Sequence, residues 1–203
     1  LRANPLGMPN MPRRNASLDS SQPTAPILKI IDFLDVEVSK RYGPTSSSTY
    51  CNIYAYDYAY LNNAFIPRVW WNSGDWAMIK KKNERELIYA TSVVELNANS
   101  IHDWFKTNGS LFGWTKVNDL DTLQAAANAG KIGIVTAKRK DLSRSGHICA
   151  VVPENGTRRA VRNSNGKVTQ PLMSQAGSSN KKYFNSTWWT GSQFAESGFW
   201  VHA

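Results

Sequence analysis

Ser46 to Trp71 reads SSSTYCNIYAYDYAYLNNAFIPRVWW, and the fold turns on how this stretch is read. Three serines and a threonine run into an aromatic-rich segment with the make-up of a helix, ending near Asn62-Asn63 and Pro67. Thr49 is the expected N-cap, since its hydroxyl can accept from an otherwise unpaired first-turn N–H. Cys51 then falls at about the second helical position. Ala55 and Ala59 follow at i+4 and i+8, a small-residue face suited to close packing on a sheet. A thiol at a helix start feels the positive end of the macrodipole, which favours the nucleophilic thiolate. A free cysteine is equally at home in an apolar core. On this stretch alone both readings stand.

Working outward, Leu1 to Pro26 carries five prolines and little that could pack. It reads as an extended or disordered arm, with the domain proper from 27 to 203. Ile27 to Arg41 has apolar residues at 27, 30, 31, 34 and 38, a helical spacing, closed by Gly43-Pro44. Beyond the Cys51 helix, PRVWWNSGDW reads as an aromatic loop, and Asn83 to Leu96 is ambiguous between helix and strand. Asn99-Ser100 is expected to cap a short helix, IHDWFK, that carries His102. Asp119 or Asp121 caps LDTLQAAANAG, with Gly130 just past its end. KIGIVTAKR and HICAVVP read as buried strands, RRAVR, VTQPLMSQAG and GFWVHA as further ones, and Asn165-Gly166 as a hairpin turn. Helices first and an antiparallel meander after them argue an α+β domain.

Composition narrows the classes. Hydrophobic content of 41% over 203 residues is ample for one domain's core. The net charge of +9 favours anionic partners such as nucleic acid, acidic wall polymers or a membrane surface. The cations are scattered, apart from Lys80–Lys82 and Lys138–Lys140, and no nucleic-acid-binding motif is present, so specific nucleic-acid binding is not expected. Two cysteines make no disulfide framework, and with three histidines they make no metal site. No cofactor is called for. No apolar run approaches the ~20 residues that span a bilayer. The chain starts at Leu1 rather than Met, and that start carries no information about secretion.

A cysteine nucleophile needs a base within hydrogen-bond reach and a third group that orients the base. His147, in SGHICAVVP, opens a strand directly after a glycine, so its ring can approach a neighbouring helix terminus. His202 is a rival base, and His102 reads as a histidine on the surface or satisfied by a neighbour. Cys149, two residues along the strand, shares the His147 face and reads as core. Glu154 sits at the far end of that strand, ~20 Å away by strand rise, and is a poor orienter. Gln175, in PLMSQAG, ends a strand that can pair beside the His147 strand, so its amide oxygen could accept the His147 Nδ1–H.

Cys at a helix start, followed after a long interval by Gly-His and an apolar strand ending Val-Val-Pro, resembles the papain-like amidases of the NlpC/P60 and CHAP superfamily. The resemblance covers about Tyr42 to Gly177 and includes the order of the intervening AAANAGKIGIVTAK segment. Tyr50-Cys51-Asn52 stands where those families usually carry Asp-Cys-Ser or Cys-Thr. The resemblance implies a papain-like fold, with N-terminal helices and the Cys helix packed on an antiparallel sheet, and a third polar residue on the strand after the His. It also implies an oxyanion site using the Cys51 N–H, with Tyr42 as the family-like second donor and Asn52 or Ser48 as alternatives. Trp70 and Trp71 are candidates for the substrate cleft.

The implied activity is a cysteine amidase or peptidase cutting an amide bond of bacterial peptidoglycan. Its setting would be secreted or periplasmic and its role antibacterial, with an inhibitor or immunity protein as a further partner. The alternative is a non-catalytic wall- or carbohydrate-binding module that stacks sugars on Trp70, Trp71, Trp188 and Trp189. A nucleic-acid binder is a third and weaker reading.

Overall fold

The computed structural model describes residues 4–15 and 21–203, and statements below refer to these. The first helix, α1 (Ala25–Leu34), buries Ile27, Ile30, Ile31 and Leu34. It stops well before Arg41, because Asp35 turns into the left-handed region with φ 40°. The turn swings Val36 into the core and leaves Val38 exposed. A continued helix would have turned Val36 away from the apolar face of Ile27 and Ile31. Of the expected arm, residues 1–3 and 16–20 lie outside the described residues. Residues 4–15 run along the domain, with Leu6 buried and the Arg14 N–H bonded to the Leu61 carbonyl at 2.9 Å.

Helix α2 (Cys51–Leu61) follows. Its N-cap is Tyr50, which makes no side-chain cap, and not Thr49. Cys51 is therefore the first helical residue. Ala55 and Ala59 are fully buried, as are Tyr54 and Tyr58, the residue before each.

The PRVWWNSGDW stretch is not a loop. It forms β1 (Val69–Trp71), paired antiparallel with β2 (Val93–Glu95), and then α3 (Ser73–Lys80), which is capped by the Asn72 side chain. The ambiguous Asn83–Leu96 stretch is mostly irregular and contributes β2 at its end. Helix α4 (Ala98–Asn108) starts earlier than expected because Asn97 is its cap, accepting from the Ser100 N–H. Helix α5 (Leu120–Asn128) is capped by Asp119, with Gly130 at φ 80° past its end. Such a cap is worth ~1 kcal/mol.

The main sheet has six strands in the order β3-β10-β4-β5-β8-β9: β3 (Trp114–Val117), β4 (Ile132–Arg139), β5 (His147–Val151), β8 (Leu172–Gln175), β9 (Lys181–Asn185) and β10 (Phe194–His202). All the pairings described are antiparallel. The class is α+β. The sheet is not a simple meander, because the last strand inserts between β3 and β4. Neither β3 nor β9 stood out in the sequence, since both are short and largely polar. RRAVR shrinks to β6 (Val161–Arg162), paired with β7 (Val168–Gln170) across the Asn165-Gly166 turn. Pro171, which can donate no ladder hydrogen bond, divides β7 from β8.

Two layers cover the sheet. On one side α1, α2 and α4 pack with Ile132, Ile134, Ile148 and Ala150. On the other, Leu123 and Ala127 of α5 pack with Val135, Cys149, Val151 and Met173. Strands buried on both faces read as continuous apolar runs rather than alternating ones. This is why KIGIVTAKR was so plainly a strand.

Candidate active site

Three of the singled-out residues come together where the start of α2 meets the start of β5. Antiparallel pairing of β5 with β8 sets Ala150 opposite Ser174 and Val151 opposite Met173. The same register, carried one step on, sets Gln175 opposite Cys149 and diagonal to His147. The Gln175 Oε1 lies 2.7 Å from the His147 Nε2 and so accepts its proton. The Gln175 amide nitrogen donates to the Ser179 carbonyl at 3.2 Å, which holds the oxygen end toward the imidazole. The nitrogen engaged is Nε2, and not the Nδ1 expected from the sequence.

Cys51 is 3% exposed. Burial pushes its thiol up, but the charge of His147 and a hydrogen bond from that ring draw it down further. The backbone N–H groups of Ile148 and Asn52 add to this, and the net position is below the ordinary thiol value. The Asn52 N–H is one of the unpaired donors of the first turn of α2. For His147, burial works against the charged ring, while the charges of Cys149 and Cys51 and hydrogen bonds to both sulfurs outweigh it. The result lies well above the ordinary imidazole value, so each group favours the charged form of the other.

Two further groups complete the surroundings. The Cys149 thiol donates to the Gln175 Oε1 at 3.2 Å, so that oxygen serves two donors. Burial raises this second thiol above its ordinary value despite the nearby His147. The Trp188 ring stands edge-on to His147, with centroids 4.6 Å apart and planes at 78°. It packs against the imidazole that bonds Gln175. The sequence offered Trp188 only as a sugar-stacking residue. Its position depends on β9 and the short 3-10 turn Trp188–Thr190, and neither was read from the chain.

The other candidates lie elsewhere. The Tyr42 hydroxyl donates to the Asp57 Oδ2 at 2.8 Å inside a buried cluster with Arg41. It is thereby committed one and a half turns along α2 from Cys51. The Asn52 side chain donates to the Leu96 carbonyl at 3.1 Å, so only its backbone N–H faces the sulfur. Trp70 sits in an aromatic cluster with Phe65, Trp76, Trp104 and Phe112. Trp71 pairs across the small sheet with Val93. Trp189 is buried against Phe199 at 5.5 Å. Trp70 and Trp189 are thus packing residues, while Trp71 is half-exposed. Ser48 shares a turn with Thr45, whose N–H bonds its carbonyl at 2.9 Å.

Glu154 is engaged by Arg162 and Asn128 at the far end of β5. His202 lies at the end of the sheet away from His147: it pairs with Ile132 of β4, whereas His147 pairs with Ala137. Five residues of strand, ~17 Å, separate those two positions. His102 is buried, with its Nδ1 2.8 Å from the Thr136 Oγ1. Among the described residues no three of His, Cys, Asp and Glu gather in a way that could hold a metal ion. Among them, too, no helix is long and apolar enough to cross a membrane.

Comparison with protein-family models finds no match, and comparison with curated proteins finds none.

Proposed function

We propose that this protein is a papain-like cysteine amidase or peptidase, with Cys51 as nucleophile, His147 as acid and base, and Gln175 as the residue that orients the imidazole. The observation that carries the reading is His147 set between two partners, with its Nε2 2.7 Å from the Gln175 oxygen and its ring acting by charge and hydrogen bonding on the Cys51 thiol. Nucleophile, base and orienter in that order are what thiol-dependent acyl transfer requires.

The Cys51 thiolate attacks the carbonyl carbon of a substrate amide. The oxyanion that forms lies by the first turn of α2, where the Cys51 N–H has no partner within the helix. His147 gives its proton to the leaving amine, and a thioester remains on Cys51. The neutral imidazole then takes a proton from water, whose oxygen attacks the thioester, and the acid product departs with the thiolate restored. Gln175 keeps the ring in plane throughout, with Trp188 packed against the imidazole.

Peptidoglycan is the proposed substrate, supported by the resemblance of the Cys51 helix and the Gly-His strand to wall amidases. The net charge of +9 suits an anionic wall. The test is digestion of purified peptidoglycan, with soluble fragments identified by mass spectrometry. Wild-type protein is expected to release fragments with a new amine and a new carboxylate. Cys51→Ala should release none and still sediment with the wall. Intact peptidoglycan after prolonged incubation with a protein whose Cys51 is demonstrably reactive would overturn the substrate and leave the thiol chemistry standing.

A further inference from the structure

Residues 80–91, KKKNERELIYAT, are exposed without interruption. Within that run Leu87 is 68% exposed, Ile88 44% and Tyr89 63%, three consecutive large apolar side chains in water. The four cations Lys80, Lys81, Lys82 and Arg85 precede them, against the two anions Glu84 and Glu86. The loop is built to hold this shape. The Ser92 Oγ accepts from the Ile88 N–H at 2.7 Å and donates to the Glu86 carbonyl at 2.6 Å. The N–H groups of Thr91 and Ser92 fold back onto the Ile88 carbonyl at 3.1 and 2.9 Å. Arg85 meets Asp75 of α3 at 3.3 Å. Lys82 and Ala90 take the left-handed conformation with φ 63° and 62°, which is strained for residues with a Cβ. A loop pinned in this way cannot tuck its apolar tip against the domain.

We propose that this loop docks the protein on a bilayer surface that carries anionic lipid. Leu87, Ile88 and Tyr89 enter the interface, while Lys80, Lys81 and Lys82 lie among the headgroups. The charge balance selects a negative partner, and the apolar tip selects among negative partners. A dissolved polyanion would pair with the lysines and leave the tip in water, whereas a bilayer offers hydrocarbon a few ångströms below its phosphates. A tyrosine beside aliphatic residues suits that boundary, where its ring is buried and its hydroxyl stays wet.

The experiment is co-sedimentation of the full chain with vesicles of phosphatidylcholine alone and with vesicles in which about a third of the lipid is phosphatidylglycerol. Binding is expected to the anionic vesicles alone and to fall as salt rises. Replacing Leu87, Ile88 and Tyr89 together by serine should weaken it about tenfold or more, and so should replacing Lys80, Lys81 and Lys82 together by serine. All six positions are exposed, and circular dichroism checks that the fold is kept. No sedimentation with either vesicle overturns the proposal. So does a serine-tipped variant that binds as well as wild type, which would reduce the effect to adsorption by charge. Retention by an acidic protein but by neither vesicle would make the loop a protein-docking site and overturn the lipid assignment. Cys51→Ala should dock like wild type, so the outcome is independent of the hydrolase reading.

Discussion

At the scale of single residues, the site turns on the opposition of burial and charge at Cys51. Dry surroundings alone would leave its thiol protonated at neutral pH. The charge of His147 and a hydrogen bond from its ring outweigh burial, aided by two backbone N–H groups, and bring the thiol below its ordinary value. Reactivity depends on the thiolate, which accumulates as pH rises through the lowered pKa. Alkylation of Cys51 by iodoacetamide, followed peptide by peptide, is therefore expected to have its midpoint below the ordinary thiol value of 9.0. In His147→Ala the burial remains while the opposing charge is gone, so the midpoint should move up past that value. Cys149, whose thiol is raised, should react more slowly at every pH. Equal rates at the two cysteines would remove the basis for an activated pair. The types and order of Cys51 and His147 were legible in the chain because each sits at an element start with a small motif around it. Which ring nitrogen faces Gln175 was not, since that depends on the approach of β8.

At the scale of elements, the placement of His147 rests on how tightly β5 closes on β4. Gly146 precedes the strand, and a Cβ there would overlap the Ala137 carbonyl oxygen and come within 2.6 Å of the Asn99 Oδ1. Asn99 is not free to yield, because its oxygen accepts from the Arg139 N–H at 2.9 Å and its amide nitrogen donates to the Arg144 carbonyl at 2.9 Å. Gly146→Ala should therefore push the start of β5 away from β4. The expected result is a loss of turnover of about 100-fold, since a displacement of the order of 1 Å suffices for that. The Cys51 alkylation midpoint should rise with it, as the imidazole is carried off. Turnover within twofold of wild type would show that the strand absorbs the methyl group. Local signals located α5, β4 and β5 well, because capping, glycine and apolar runs agree there. They missed β3 and β9, which are strands only because neighbouring strands offer them hydrogen bonds. They misread the Trp70-Trp71 stretch, where aromatic composition suggested a loop and pairing with β2 made a strand.

At the scale of the whole molecule, one buried cluster ties the segment before the active-site helix to the helix itself. Asp57 is fully buried, with the Arg41 Nε at 2.6 Å, its Nη2 at 3.1 Å and the Tyr42 hydroxyl at 2.8 Å. The Asn180 amide adds a tie between this segment and the β8–β9 turn, donating to the carbonyls of Val36 and Tyr42 at 2.8 and 3.1 Å. Removing one partner of a buried ion pair leaves the other charge uncompensated, at a cost of about 3–5 kcal/mol. Asp57→Ala should lose stability of that order in urea unfolding. Asp57→Asn, which keeps the shape and a hydrogen-bonding oxygen, should lose less. A loss below about 1 kcal/mol in the alanine variant would mean that the cluster is solvated and contributes little.

The class of the domain, its basic charge and the cysteine–histidine pair were decided by the amino-acid order, since each is written in local features: helix starts, apolar runs, a glycine before a histidine. The insertion of β10 between β3 and β4, the turn of Tyr42 toward Asp57, the placing of Trp188 over His147 and the projection of Leu87 to Tyr89 were decided only in three dimensions. Each joins residues far apart in the chain, or depends on what a neighbour leaves uncovered. Local preference does not encode which partner a side chain meets, because that choice belongs to the packing of the whole core.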